Sequence, residues 1–260
     1  MPSPIIIKKH KKIIVNGANG KMGKMICSAI KNNPNFILSA KLTKTDNLER
    51  AIKKTNTKIV IDFTNSNSVY KNTLTIINNN VHPIIGTSGL TNSQIKKLKT
   101  ICKKKKLGGL IVPNFSISSI VMQYITRKIT NWFKEIEIIE MHHKNKKDIP
   151  SYTAIKTAEI IKNSFLTRNK KNLTSKHKTF NKHNKKINFI KKIPIHSLRM
   201  SGILSCQQII FSNIGETLTI SQNNINRKSF LPGIILSCQK VSKLKSLHLG
   251  LEKILIKNKY

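Results

Sequence analysis

The sequence predicts an α/β fold, with a parallel sheet in its first 115 residues and a differently patterned second part. Three observations predict it. Short β-branched runs alternate with helical stretches as far as Phe115, the order of strands joined by crossover helices. Those runs are largely apolar, as suits strands covered on both faces. Beyond Pro113, runs such as Glu135-Ile136-Glu137-Ile138 alternate instead, as suits strands with one wet face.

Taken in order, the first part reads as strands at Lys12–Asn16, Ile37–Lys44, Lys58–Phe63, Pro83–Gly86 and Leu110–Val112. Helical patterns fall at Lys21–Lys31, Asn67–Asn78 and Ser93–Lys105, the last with Thr91 as a plausible cap. The second part opens with a helix over Ile117–Phe133 and continues through the strand from Glu135. Pro150 stops what precedes it, and Ser151 can cap a following helix. From Lys162 to Lys192 there are eleven Lys or Arg and no acid. So few apolar residues cannot offset the entropy of ordering, so residues 163–192 read as a mobile surface loop. Strands resume at His196–Leu198, Gln207–Phe211 and Thr217–Ile220, and a helix follows from Pro232. The expected domains are 1–115, joined by a returning segment 231–260, and 116–230. No internal repeat is visible.

The 260-residue chain carries 48 Lys and Arg against 10 Asp and Glu, a formal net charge of +38. Such an excess raises a nucleic-acid reading. Only five of the basic residues are Arg (Arg50, Arg127, Arg168, Arg199, Arg227), whereas Arg is the preferred fork for phosphates and bases. The lysines are spread among Asn and Ile, residue types that share AT-rich codons. Nucleotide composition therefore accounts for the charge, and no specific nucleic-acid partner is expected. Cys27, Cys102, Cys206 and Cys238 lie far apart without metal-ligand spacing, so they read as reduced thiols and no metal is expected. No apolar run reaches the ~18 residues of a membrane helix. The first twelve residues lack the order of a secretory leader. A soluble protein working where it is made is the expectation.

The first chemical signal is Gly17-Ala18-Asn19-Gly20-Lys21-Met22-Gly23, directly after the strand Ile13-Ile14-Val15. One glycine permits a tight turn, the next lets backbone approach a pyrophosphate, and the last lets helix pack on strand. The helix that opens there turns its N–H groups and positive dipole end toward the anion. An acid about 20 residues on would clamp the adenosine ribose, but Ile37–Lys44 contains none. Lys41 and Lys44 could face a 2′-phosphate, which leaves NADPH or NADH as the cofactor. Two further loops, Gly86-Thr87-Ser88-Gly89 and Val112-Pro113-Asn114-Phe115-Ser116, follow strand C-termini, where ligands of open α/β sheets bind.

The second signal is Glu140-Met141-His142-His143-Lys144-Asn145-Lys146-Lys147-Asp148-Ile149-Pro150-Ser151-Tyr152-Thr153. It runs from a strand end through a cationic loop into a helix. Imidazole titrates near neutral pH and can donate or accept a proton. The lysines attract a dianion, and the N–H groups of Tyr152 and Thr153 offer an anion seat at the helix's positive end. The segment reads as a site for a small dicarboxylate with a proton-transfer group beside it.

These motifs, with Val60-Ile61-Asp62-Phe63-Thr64, Glu137-Ile138-Ile139-Glu140, Ile195-His196-Ser197-Leu198-Arg199 and Phe230-Leu231-Pro232-Gly233, resemble the 4-hydroxy-tetrahydrodipicolinate (dihydrodipicolinate) reductase family. The wording of Ser68-Val69-Tyr70 and of Gly86–Thr91 is most similar to its cyanobacterial forms. The resemblance implies a Rossmann-type domain and a central α+β domain with a mixed, largely antiparallel sheet, assembled as a homotetramer. It implies reduction of the cyclic dicarboxylate by NADPH or NADH on the route to diaminopimelate and lysine. By residue match, His142 is the proton donor/acceptor and Lys146 the second proton donor. His143, Tyr152 and Thr153 bind substrate. Gly17, Ala18, Asn19, Gly20, Lys21, Met22, Gly86, Thr87, Ser88, Val112, Pro113, Asn114 and Phe115 line the cofactor. The implied location is the cytoplasm of a bacterium, or a plastid stroma.

Five positions depart from the family pattern. Tyr152 and Ser118 stand where glycine is usual, Leu42 where an acid is usual, and Ser205-Cys206 where Ala-His is usual. If position 152 needs a left-handed backbone, Tyr152 costs energy there. A weakened nucleotide-binding relative and a polycationic RNA-binding protein are the alternatives. Few arginines and few aromatics supply base stacking poorly.

Overall fold

The computed structural model describes residues 10–166, 187–190 and 193–256. The chain divides after Phe115 and again before Phe230 into two compact units. The first opens with β1 (Lys11–Asn16), α1 (Lys21–Lys31), β2 (Phe36–Leu42), α2 (Leu48–Thr55), β3 (Ile59–Asp62), α3 (Val69–Asn78), β4 (His82–Ile85), α4 (Asn92–Lys104) and β5 (Gly109–Ile111). Ile13, Ile14, Val15, Ile59, Val60, Ile61, Ile84 and Ile85 are all buried, which is why these strands read as unbroken apolar runs. Helix α1 turns Gly23, Ile26, Cys27 and Ile30 inward. The Thr91 hydroxyl accepts from Gln94 N while Gln94 answers on Thr91 N, a complete capping box for α4. Two readings need correction. The second strand ends at Leu42, because Thr43 turns to meet Asp46. Helix α2 escaped notice because Ile52 is its one buried residue; Asn47 caps it and a left-handed Asn56 ends it.

The second unit holds α5 (Ile117–Ile129), β6 (Glu135–His142), α6 (Tyr152–Leu166), β7 (Ile187–Ile190), β8 (Ile193–Arg199), β9 (Ser205–Asn213) and β10 (Glu216–Asn224). Its sheet runs β10-β9-β6-β8-β7, with β6 and β8 parallel and every other pair antiparallel. Ile136 and Ile138 of β6, Ile209 and Phe211 of β9, and Ala154, Ala158, Ile161 and Phe165 of α6 share one core. The helix expected to Phe133 passes at Thr130 into a tighter 3₁₀ turn. The Ser151 hydroxyl accepts from Ala154 N at 3.3 Å, the expected cap of α6. The loop expected over 163–192 is narrower than its charge suggested. Phe165 is buried and carries α6 on to Leu166, and the run Ile187–Ile190 pairs antiparallel with β8. Residues 167–186 and 191–192 of that loop lie outside the described residues.

The chain then returns to the first unit as α7 (Leu231–Lys240), β11 (Leu247–Leu249) and α8 (Glu252–Leu255). Strand β11 pairs parallel with β5, completing an all-parallel sheet of order β11-β5-β4-β3-β1-β2. The Lys11 ammonium donates to the carbonyls of Cys238 and Gln239 at the C-terminal end of α7, where the helix dipole favours a cation. Burial pushes the Cys102 thiol up to about 11 and the Cys238 thiol up to about 12, so both are inert at neutral pH. Among the described residues no helix is long and apolar enough to cross a membrane.

At Gly17, with φ +86°, an added Cβ would lie 2.3 Å from the Phe63 carbonyl oxygen. Gly17→Ala is therefore expected to cost roughly 2–4 kcal/mol of stability, from backbone strain and overlap together. A urea melt that superimposes on that of the wild-type chain would refute this.

Candidate active site

The glycine turn is built by strand ends. Asn16 ends β1, and Gly17 N and Ala18 N each donate to the Leu42 carbonyl at 2.9 Å, which binds the turn to the end of β2. Gly20 is the N-cap of α1; no side chain caps this terminus and no acid lies in its first turn. Its leading N–H groups are thus left for an anion. Asn19, Gly20 and Lys21 are exposed, Gly17 and Met22 half-buried, and Ala18 is buried, so Ala18 offers backbone only. A dinucleotide's pyrophosphate fits this cradle, since the turn is closed to side chains and open to backbone.

Leu42 sits in the core, so the position where an acid was missed serves packing. An acid stands four residues on. Asp46 accepts from both the hydroxyl and the N–H of Thr43 at 2.7 Å, and these bonds hold its carboxyl below the usual range.

The two other loops meet the glycine turn at Asp62-Phe63. The Phe63 carbonyl closes on Gly17, and its ring lies where a Cβ on Gly86 would be, at 2.3 Å. That ring packs on Phe115 with centroids 5.6 Å apart. Val112 N donates to the Ile85 carbonyl at 2.8 Å, so the segment Val112–Phe115 leaves the sheet beside the start of the Gly86-Thr87-Ser88 loop. The three expected cofactor segments therefore share one edge of the first unit, with Phe63 wedged among them. Sequence reading quoted Asp62-Phe63 as part of a motif and gave it no part in the site.

In the second unit His142 is the last residue of β6, and His143 already lies beyond the strand. His142 Nδ1 meets Glu140 Oε2 at 2.5 Å. The two residues are two apart on a strand and share its face. Arg199 stands opposite His142 on the parallel strand β8. Its Nη2 donates to Glu140 Oε1 and to the Asp148 carbonyl, both at 2.8 Å. The Asp148 carboxylate meets Lys146 Nζ at 2.7 Å. His142, Glu140, Arg199, Asp148 and Lys146 thus form one continuous chain of contacts. Arg199 is the strut between its two ends.

Glu140 has no access to water. Burial drives its carboxyl up, but the hydrogen bonds from His142 and Arg199 outweigh burial and hold it down at about 2. Burial likewise opposes the charge of Asp148. Lys146 and the N–H groups of Asp148 and Tyr152 prevail and hold it below the usual carboxylate range. The Tyr152 N–H therefore already serves one carboxylate. Tyr152 is not among the residues with positive φ. It begins α6 with its side chain half exposed, so the left-handed strain considered at this position is absent. Ser118 lies in the first turn of α5, its hydroxyl 3.0 Å from that of Ser116. Sequence reading quoted Glu140, Arg199 and Asp148 within motifs and gave them no part in the site. The period-two spacing of Glu140 and His142 was visible, but nothing local pairs β6 with β8.

A parallel sheet with an uncapped glycine turn at its strand ends belongs to the dinucleotide-binding class. A histidine tied to a buried carboxylate adds acid–base chemistry, and together these are features of an oxidoreductase. Comparison with known proteins is more specific. Residues 11–115 match the family description "Dihydrodipicolinate reductase, N-terminus", and residues 116–255 match "Dihydrodipicolinate reductase, C-terminus". A 4-hydroxy-tetrahydrodipicolinate reductase of Legionella pneumophila is 47% identical over 248 residues, 94% of this chain and 99% of the relative. One of Coxiella burnetii is 40% identical over 244 residues, 94% and 98% of the two chains. Both sources are bacterial; neither is one of the cyanobacteria whose wording the sequence suggested. Dipicolinate-bound dihydrodipicolinate reductase from Paenisporosarcina sp. TG-14 superimposes with a TM-score of 0.82 at 30% identity, covering 94% of this chain and 99% of that one. The chain belongs to the dihydrodipicolinate reductase family.

The depressed carboxyl of Glu140 has a consequence in acid. Its folded value lies below the ordinary 4.5, so its contribution to stability is present above that pH and is lost as pH falls toward about 2. By linkage that contribution is roughly 3 kcal/mol. In urea melts between pH 7 and 2, Glu140→Gln is expected to be less stable at neutral pH and to lose less stability on acidification. A parallel pH dependence in both proteins would contradict the pairing.

Proposed function

We propose that this chain reduces 4-hydroxy-tetrahydrodipicolinate to tetrahydrodipicolinate with NADPH or NADH, in the synthesis of diaminopimelate and lysine, and that His142 and Lys146 handle its protons. Family membership over nearly the whole chain supports the reaction. The observation that carries the residue roles is the unbroken series of contacts from His142 through Glu140, Arg199 and Asp148 to Lys146.

Bound NAD(P)H supplies the hydride. The glycine turn and the N-terminus of α1 would hold its pyrophosphate, and the loops at Gly86–Ser88 and Val112–Phe115 would receive the rest. Glu140 on Nδ1 fixes the ring of His142 and leaves Nε2 as the atom that gives or takes a proton. Lys146, paired with Asp148, is the second proton donor as water leaves the substrate. His143 and the N–H groups of Tyr152 and Thr153 receive a substrate carboxylate at the positive end of α6. Asp148 holds the Tyr152 N–H in this structure, so the substrate shares that donor or displaces it.

The second sheet supports assembly as a homotetramer. The face of β6, β8 and β9 turned away from its helices carries Ile139, Met141, Leu198 and Ile210, none of them buried, and a second copy would cover such a face. The bacterial sources of the relatives support a bacterial cytoplasm.

His142→Gln is expected to lower kcat by about 10²–10⁴-fold while cofactor affinity is retained, as for loss of an acid–base group. Steady-state turnover at saturating NADPH decides it: undiminished kcat would remove His142 from the chemistry.

A further inference from the structure

Asp62 ends β3 with no exposed surface, so its carboxylate cannot touch a cofactor. It nevertheless accepts five hydrogen bonds. Asn16 Nδ2 and Asn72 Nδ2 reach one oxygen, each at 2.9 Å. The hydroxyls of Thr64 and Thr87, both at 2.7 Å, and Thr64 N at 3.2 Å reach the other. Asn16 is the residue before Gly17, and Thr87 is the residue after Gly86. One buried carboxylate therefore grips the first residues of two loops that lie far apart in sequence, and Asn72 ties that grip to α3.

We infer that Asp62 is a positioning residue for the dinucleotide: it presets the glycine turn and the Gly86–Gly89 loop in one arrangement before the cofactor arrives. The inference rests on the cofactor reading above. Its physical basis is preorganisation. Loops already held in their bound geometry leave less ordering cost to be met on binding. Asparagine at position 62 would present an NH₂ to a ring of donors. Its one oxygen can serve Thr64 and Thr87 or the two asparagines but not both sets, and a neutral amide oxygen holds its donors less strongly than a carboxylate. The tether then loosens without a change of size.

The test measures NADPH and NADH dissociation constants by fluorescence titration, alongside the thermal midpoint and kcat at saturating cofactor. Asp62→Asn is expected to weaken both dinucleotides about tenfold, and the milder Asn72→Ala about threefold, with kcat at saturation largely kept. A lowered thermal midpoint with unchanged dissociation constants would make Asp62 a purely structural residue and overturn the inference. Should Asp62→Asn fail to fold, Asn72→Ala decides alone. A wild-type chain that binds neither dinucleotide would instead overturn the cofactor reading, and the wild-type titration separates the two failures.

Discussion

A carboxylate without access to water must find its donors inside the protein, because an uncompensated buried charge costs several kcal/mol. At Glu140 those donors are His142 and Arg199, and meeting its demand arranges the site in the second unit. The imidazole is held by one nitrogen. The guanidinium is stretched between β6 and the loop that carries Lys146 and Asp148. Arg suits this work because its planar fork keeps several donors in fixed directions. A lysine at position 199 would supply charge without that reach in two directions.

The same constraint acts in the first unit, where Asp62 gathers donors from β1, α3 and the loop after β4. The two units thus use one device. A buried acid at a strand end converts several separate segments into one rigid edge, and the exposed groups on that edge are left to meet a ligand. Phe63 adds an apolar wedge on the same edge, packed on Phe115 and closed against Gly17 and Gly86.

The extreme charge balance gives these acids a further meaning. With 10 acids against 48 bases, an acid is the scarce residue of this chain, and the fold puts several of them to structural use. Asp62 and Glu140 are buried and fully engaged, Asp148 is paired with Lys146, and Glu137 meets His196 at 2.6 Å. Among the described residues the lysines that dominate composition lie mostly on the surface, and Lys146 is one that joins the acid-built site.

Much of the fold was legible in the residues themselves. Hydrophobic runs marked β1 and β3 to β5, the periodicity of Lys21–Lys31 matched α1 to the residue, and the glycine spacing placed the turn between β1 and α1. Local chemistry decides such features, through capping, turn preference and the burial of short apolar runs. What only the tertiary structure decided was partnership: the parallel pairing of β6 with β8 that sets Arg199 opposite His142, the return of β11 to β5, and the donors around Asp62. Those contacts join residues far apart along the chain. Their energy depends on burial and direction at close range, and neither is written in the spacing of the residues that make them.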